Sequence, residues 1–116
     1  MVTTGAADSK TATAIQFVKT IIEHDEHQLE GVFFYQAGVS NANTLTSMPS
    51  DELQALSQWQ SLVEQHQINL YLCITAAEKR GMTDEEQLNN IAPCFVVAGL
   101  GELVELTNKC DRVIQL

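Results

Sequence analysis

The most constraining feature of this 116-residue sequence is the alternation of short apolar runs with longer amphipathic ones. The apolar run Ile68–Leu72 illustrates it, because the helix-forming run Ile74–Arg80 follows almost at once and Gly81 ends that run. A short apolar run before good helix formers predicts a strand, a tight turn and a helix. Cys73 lies between the two runs, so we expect its thiol at the carboxyl end of a strand, beside a helix N-terminus.

This position favours chemistry at Cys73. The carboxyl ends of parallel strands are where open α/β proteins bind their ligands. The partial positive charge of a helix N-terminus favours the thiolate, which is the form that attacks or carries sulfur. We therefore expect Cys73 to be exposed and to react faster than Cys94 or Cys110. The residues alone also leave open a buried structural cysteine at this position.

The same alternation extends along the chain. In order, the pattern predicts helix Ser9–His24, strand Leu29–Tyr35, an irregular loop Val39–Ser50, a helix from Ser50 to about Gln65, strand Ile68–Leu72, helix Ile74–Arg80, a short helix Thr83–Asn89, strand Cys94–Ala98, helix Leu100–Asn108 and strand Arg112–Leu116. Strands that alternate with helices predict βαβ units and a parallel sheet covered on both faces. The first strand is the exception, because Met1–Thr4 is long enough only for a stub.

Length and composition narrow the class of protein. A chain of 116 residues with 45% hydrophobic content suits one domain spanning residues 1–116. Fifteen acidic against six basic side chains give a formal net charge of −9, which argues against direct binding to nucleic acid or anionic lipid. The sequence has no long apolar run and no signal-peptide pattern, so we expect no membrane association and a cytoplasmic location.

The cysteine pattern argues against metal binding and disulfides. Three cysteines without CxxC spacing suit neither a disulfide framework nor a structural zinc site. Cys94 opens a predicted strand, where packing is the expected role. Cys110 lies at a helix-to-strand junction between Lys109 and Arg112, and packing is favoured there over chemistry. A metal site on His24 and His27 is not expected, because no further ligand completes it at defined spacing.

A flavodoxin-like flavin or nucleotide binder is a further hypothesis. The hydroxyl-rich segment Thr3–Gly5, with Ser9, Thr11 and Thr13 after it, suits a phosphate cradle at a helix N-terminus. Serine and threonine are also ordinary helix caps, and the loop that follows the second predicted strand lacks aromatic residues to stack on a flavin. We therefore expect no cofactor.

Several segments are similar, in the same order and at the same spacing, to the DsrE-like sulfur-relay family, and most of all to its TusD branch. They are Gln16-Phe17, Val32–Tyr35, Gly38-Val39, Asn41–Asn43, Leu45–Ser47, Trp59-Gln60, Cys73, Ala76-Ala77, Arg80-Gly81, Gly99–Gly101 and Cys110–Val113. The resemblance covers nearly the whole chain. It implies a three-layer α/β/α sandwich with a five-stranded parallel sheet. Relatives begin with several more apolar residues before the position of Val2, so either the start of this sequence was assigned late or its first strand is truncated.

The resemblance also implies a function. Proteins like this are sulfurtransferases, in which the cysteine matching Cys73 carries a persulfide, and the match at Cys110 makes that thiol a secondary candidate. In the TusD branch, small carrier proteins supply and accept the sulfur, which is destined for 2-thiouridine in tRNA, and TusB-like and TusC-like subunits complete a hetero-oligomer. In the DsrE branch a related complex serves sulfur oxidation. A noncatalytic assembly subunit is the competing class.

Overall fold

The computed structural model describes residues 1–84 and 86–116. The described residues form, in chain order, α1 (Lys10–Glu23), β1 (Val32–Phe34), a 3-10 helix (Gln36–Ala42), α2 (Ala55–His66), β2 (Leu70–Cys73), α3 (Ile74–Lys79), β3 (Phe95–Ala98) and α4 (Leu100–Lys109). Within those residues, no helix combines the length and the apolar character that crossing a membrane requires. The predicted alternation of strands and helices is confirmed.

The three strands form one parallel sheet in the order β1-β2-β3. Leu70 of β2 pairs with Val32 on one side and with Phe95 on the other, so β2 is the central strand of the three. Cys73, the last residue of β2, pairs with Ala98 at the end of β3. The predicted parallel α/β class is therefore confirmed, and Cys73 lies at the carboxyl end of a strand with neighbours on both sides.

The predicted count of five strands is wrong, because the described residues form only three strands. The N–H of Val2 donates to the carbonyl of Phe33 at 2.8 Å, and the N–H of Tyr35 donates to the carbonyl of Val2 at 3.0 Å. These two bonds make a parallel bridge between Val2 and Phe34. The chain bends at Thr4, so the pairing beside β1 stays one residue deep.

The last predicted strand, Arg112–Leu116, is reduced in the same way. The N–H of Leu116 donates to the carbonyl of Met1, and the N–H of Thr3 donates to the carbonyl of Leu116, both at 2.8 Å. Val2 thus lies between β1 and Leu116 in a parallel arrangement. The sheet therefore has three strands, and beyond β1 the backbone adds only the isolated residues Val2 and Leu116.

An aromatic cluster holds the sheet against α2. Phe34 is fully buried, and its ring lies 5.0 Å from that of Trp59 on α2, with the planes at 90°. On the other side its ring lies 5.1 Å from that of Phe95, with the planes at 71°. Edge-to-face contacts of this kind stabilise a core beyond the area that they bury. The cluster therefore ties α2, β1 and β3 together.

The predicted start of the second helix at Ser50 is wrong. α2 begins at Ala55, because the preceding residues form a turn that the Gln54 side chain closes. The Gln54 amide donates to the carbonyl of Pro49 at 2.9 Å. The side chain thus stabilises a turn at the residues where the sequence pattern predicts the start of the helix.

The prediction of a short helix over Thr83–Asn89 is also wrong, because the residues that the structure describes there form no helix. Thr83 and Asn89 form an antiparallel bridge. Within it, the Asp84 carboxylate accepts the N–H groups of Gln87 and Leu88, at 2.6 and 2.8 Å. These bonds to backbone donors lower the pKa of Asp84. Glu85, inside the predicted helix, lies outside the described residues.

Candidate functional site

Cys73 ends β2 and immediately precedes α3, so the strand and the helix meet without a loop. Its backbone is extended, with φ −66° and ψ 115°, and helical geometry begins at Ile74. The first N–H groups of a helix have no partners within the helix. The predicted strand-to-helix transition at Cys73 is therefore confirmed in its local geometry.

The far end of α3 is fixed by Gly81, as predicted. Gly81 has a φ of +67°, a left-handed conformation that suits glycine. Its N–H donates to the carbonyl of Glu78 at 3.0 Å, and the N–H of Met82 donates to the carbonyl of Ala77 at 3.0 Å. This pair of bonds is the Schellman motif, which satisfies the last carbonyls of a helix. α3 is thus a single short helix with both ends fixed.

The predicted exposure of Cys73 is wrong, because its exposed fraction is only 1%. β2 has a paired strand on each side, and α3 turns Ala76 and Ala77 into the core directly after the cysteine. A thiol held in this way meets a reagent or a donor protein only when the surrounding structure opens locally. The candidate site is therefore a buried thiol at the carboxyl edge of the sheet.

Cys94 lies directly before β3 and is half-buried. Burial raises the pKa of its thiol, a hydrogen bond from its own backbone opposes this, and the nearby Glu64 carboxylate raises the pKa further. A raised pKa disfavours the thiolate, which is the reactive form. These surroundings suit the packing role that the sequence predicts for Cys94.

Cys110 follows the last residue of α4 and is half-buried. Its sulfur lies 3.9 Å from the carbonyl oxygen of Thr107. Cys110 also lines a cleft of about 880 Å³ between α1, the amino end of β1, α4 and the segments around Met1 and Leu116. We call this the chain-end cleft. Cys73 does not line it, so the structure does not bring the two candidate thiols together.

The amino group of Met1 forms part of the same cleft. It donates to the carbonyl of Ile114 at 2.6 Å. Burial lowers the pKa of this amino group, and the charge of Cys110 opposes part of the shift. Lys109 and Arg112, the two basic residues noted beside Cys110 in the sequence, also line the cleft.

Asn41 is a buried polar residue whose role the sequence analysis missed. Its amide nitrogen donates to the carbonyls of Thr4 and Gly38, at 3.0 and 2.8 Å. Its amide oxygen accepts the indole N–H of Trp59 at 3.1 Å. One side chain thus joins the segment after Val2, the 3-10 helix and α2, and it fixes the carboxyl edge of the sheet near β1. The only sequence signal was an asparagine close to the end of a strand.

The hydroxyl groups suggested as a phosphate cradle are used inside the fold. Thr11 is fully buried, and its hydroxyl donates to the carbonyl of Gly5 at 2.6 Å. The hydroxyls of Thr4 and Thr11 lie 3.0 Å apart, within hydrogen-bond distance. The neighbouring cavity, beside Ser40 and Asn41, has a volume of only about 110 Å³. Ligand pockets are usually about 300 Å³ or larger, so this region does not fit a flavin or a nucleotide.

His24 and His27 both follow the end of α1, and their rings lie close together at an angle of 37°. The ring centroids of His24 and His27 lie 5.1 Å apart. Across residues 1–84 and 86–116, no three histidine, cysteine, aspartate or glutamate side chains are grouped so as to hold a metal ion. The pair therefore offers a surface contact and not a ligand set.

Comparisons with known proteins agree with this geometry. The sequence profile of the DsrE/DsrF-like family matches residues 1–116. The chain is 45% identical to the sulfurtransferase TusD of Pectobacterium carotovorum subsp. carotovorum (strain PC1) over 113 residues, covering 91% of the chain and 87% of the relative. It is 41% identical to the sulfurtransferase TusD of Salmonella newport (strain SL254) over 121 residues, covering 97% and 94%.

A further relative and a solved structure extend the likeness. The sulfurtransferase TusD of Klebsiella pneumoniae subsp. pneumoniae is 40% identical over 113 residues, covering 91% of the chain and 88% of that protein. The crystal structure of the ychN protein from E. coli superposes with a TM-score of 0.68 at 17% identity, covering 99% of the chain and 96% of that structure. At that identity the superposition supports the fold alone.

Proposed function

Because the chain belongs to the DsrE/DsrF-like family, we propose that its sulfur is carried on Cys73. The chain is a sulfurtransferase with a role in sulfur relay, as its relatives named TusD are. The observation that carries the assignment to Cys73 is its place between β2 and α3, at the carboxyl end of a central strand. Cys94 has a raised thiol pKa, and Cys110 lies at the opposite end of a helix, so neither shares this setting.

The proposed reaction is a transfer of sulfane sulfur between thiols. The Cys73 thiolate attacks the terminal sulfur of a donor persulfide, a new S–S bond forms at Cys73, and the donor's S–S bond breaks. The donor leaves as a thiolate, which takes up a proton from water. An acceptor thiolate then attacks the outer sulfur on Cys73 and releases the Cys73 thiolate. The electrons balance without an oxidant or a reductant, so the two steps require no redox cofactor.

The burial of Cys73 places a condition on both steps. A thiol with an exposed fraction of 1% is reached only after local opening. We propose that partner proteins stabilise the open form, namely the small sulfur carriers and the TusB-like and TusC-like subunits that the resemblance implies. The net charge of −9 supports protein partners over direct contact with RNA.

We propose the modification of tRNA to 2-thiouridine as the destination of the sulfur, in the cytoplasm and within one domain spanning residues 1–116. The support is the similarity to proteins named TusD at 40% to 45% identity. Sulfur oxidation is the alternative destination, since the family profile covers both branches. Deleting the gene and measuring 2-thiouridine in total tRNA separates the two, because only the first destination requires its loss.

A mass measurement tests the proposed role of Cys73. After incubation with a persulfide-loaded carrier protein, the intact chain should gain about 32 Da, the mass of one sulfur atom in a persulfide. The Cys73→Ser variant should show no gain, because it removes the nucleophile with little change in shape. Cys94→Ser and Cys110→Ser serve as matched controls that should still load. Loading of Cys73→Ser together with loss of loading in Cys110→Ser would move the site to the chain-end cleft.

A further inference from the structure

The three strands end at the same level of the sheet. β2 ends at Cys73, which pairs with Ala98, the last residue of β3. On the other side Phe34 pairs with Leu72, so Tyr35 is the residue that lies beside Cys73. The backbone of Tyr35 is still extended, with φ −137° and ψ 157°. Tyr35, Cys73 and Ala98 therefore form one row across the carboxyl end of the sheet, which we call the terminal row.

The side chains of the terminal row share the face of the sheet that is opposite to α2. Consecutive residues of a strand point to opposite faces. Phe34 points toward Trp59 on α2, so Tyr35 points away from that helix. Leu72 lies beside Phe34 in the register, so Cys73, the next residue, shares the face of Tyr35. Neighbouring strands are about 4.8 Å apart, and a tyrosine side chain is long enough to span that distance.

The backbone fixes the point from which the Tyr35 side chain extends. Its N–H donates to the carbonyl of Val2 at 3.0 Å, and its carbonyl accepts the N–H of Gly38 at 2.9 Å. Gln36 then takes a left-handed φ of +52°, which ends the extended segment. The Tyr35 side chain is partly buried and packs against the core. Its phenol hydroxyl is the polar group that it offers to a ligand.

A sulfur atom added to Cys73 requires a hydrogen-bond donor. The thiol is only 1% exposed, so in the closed structure the outer sulfur of a Cys73 persulfide lies among neighbouring side chains. Burying the ionised form of that sulfur without a hydrogen bond costs free energy. Of its two neighbours in the terminal row, Ala98 has only a methyl group, whereas Tyr35 has a hydroxyl that donates.

We propose that the Tyr35 hydroxyl donates a hydrogen bond to the outer sulfur of the Cys73 persulfide and holds that sulfur between its arrival and its departure. The inference rests on the proposed function, because Tyr35 has this role only when Cys73 carries sulfur. Hydrogen bonds to charged groups are stronger than those between neutral groups. Tyr35 thus stabilises the loaded protein and takes no part in breaking or forming the S–S bonds.

The equilibrium of sulfur loading tests this role. The parent chain carries Cys94→Ser and Cys110→Ser, so that Cys73 is its only thiol. Each variant of it is equilibrated without oxygen in a fixed ratio of glutathione persulfide to glutathione, and mass spectrometry gives the fraction that has gained one sulfur. Tyr35→Phe, which removes only the hydroxyl oxygen, should lower the loading constant at least about tenfold, a ratio worth about 1.4 kcal/mol.

Tyr71→Phe is the matched control. Tyr71 is also partly buried and points to the same face, but it pairs with Phe33 and lies farther from the carboxyl end of the sheet than Cys73 does. Tyr71→Phe should therefore load as the parent does. Equal loading constants for Tyr35→Phe and the parent would overturn the proposal, and so would an equally large loss in Tyr71→Phe.

Labelling of the unloaded protein separates a hydrogen bond from a packing effect. Iodoacetamide should modify unloaded Cys73 at the same rate in Tyr35→Phe and in the parent, because the unloaded thiol carries no outer sulfur. Faster labelling in Tyr35→Phe would show a packing defect and would overturn the role of the hydroxyl. A parent that gains no sulfur on Cys73 would contradict the proposed function and this role together. A parent and a Tyr35→Phe variant that load equally would contradict only the role of Tyr35.

Discussion

The β2–α3 junction and the chain-end cleft each hold a cysteine, but they are built in opposite ways. Cys73 lies in the junction between two paired strands and ahead of a helix with a fixed end, and it is almost fully buried. Cys110 borders about 880 Å³ of open space beside single-residue pairings at the two ends of the chain. The open cleft and one candidate nucleophile, Cys110, therefore lie together, next to the part of the sheet that has only single-residue pairings. The position expected for α/β chemistry is the tightly packed one, so cavity size alone would select Cys110 and not Cys73.

The largest effect should come from the core beside the junction. Phe34→Ala removes the ring that contacts both Trp59 and Phe95. We expect the free energy of unfolding to fall by about 3–5 kcal/mol, as for other buried phenylalanines. Val113→Ala, in the lining of the chain-end cleft, should change it by less than about 0.5 kcal/mol. Urea denaturation followed by circular dichroism measures both. Equal losses would mean that the two regions are equally well packed.

A glycine substitution tests how strongly the Val2 pairing contributes. A Cβ on Gly38 would overlap the carbonyl group of Val2. Gly38→Ala should therefore push Val2 away from β1 and lower the free energy of unfolding by about 1–3 kcal/mol. Gly101→Ala is the control, because a Cβ there meets no atom within 4 Å. It lies inside α4 and should stabilise by up to about 1 kcal/mol. Thermal unfolding of the two variants should shift in opposite directions, and a neutral Gly38→Ala would contradict the close approach.

Thiol labelling compares the two regions directly. Under native conditions at neutral pH, iodoacetamide should modify Cys110 at least about tenfold faster than Cys73, because Cys73 reacts only from a locally opened state. In concentrated urea the ratio should approach one. Peptide mass mapping after short exposures gives both rates. Faster native labelling of Cys73 would show that the junction opens more readily than its packing indicates.

The smallest effect concerns pH. Burial lowers the pKa of the Met1 amino group below its ordinary value of 8.0. The unfolded chain therefore binds this proton more readily than the folded chain, so the free energy of unfolding should rise as pH increases from the folded pKa to 8.0. An Nα-acetylated chain keeps the N–H donor but loses the titration. The difference in stability between the two chains, measured by urea denaturation from pH 6 to 9, should change in this direction, and a pH-independent difference would contradict the burial.

The strand-to-helix transition at Cys73 and the end of α3 could be predicted from the sequence, because neighbouring residues determine both. The change from β-forming to helix-forming residues at Cys73 lies within a dozen residues, and Gly81 supplies the left-handed conformation that ends α3. The exposure of Cys73 depends instead on the strands that flank β2, which are distant in sequence. The structural role of Asn41 was missed for the same reason, since its partner Trp59 is 18 residues away.

The number of strands was predicted wrongly because pairing near the two ends of the sequence depends on the path of the backbone and not on the type of side chain. The apolar residues of Arg112–Leu116 suit a strand, yet hydrogen bonds reach only Ile114 and Leu116 because their neighbour is the short segment Met1–Thr3. The start of α2 was predicted wrongly because the Gln54 side chain stabilises a turn just before the helix. The residue type alone does not specify whether a polar side chain caps a helix or forms the hydrogen bond of a turn.

The contact between Met1 and Ile114 joins residues 113 positions apart, and this separation has a consequence for the order of folding. Contacts between distant residues form late, because closing a long loop costs entropy before any contact compensates it. During synthesis Val2 has β1 as a neighbour early, but Leu116 reaches it only after all the residues between them have been made. β2 and α3 have all of their partners once α4 emerges. The β2–α3 junction that holds Cys73 is thus assembled before Leu116 pairs with the segment Met1–Thr3.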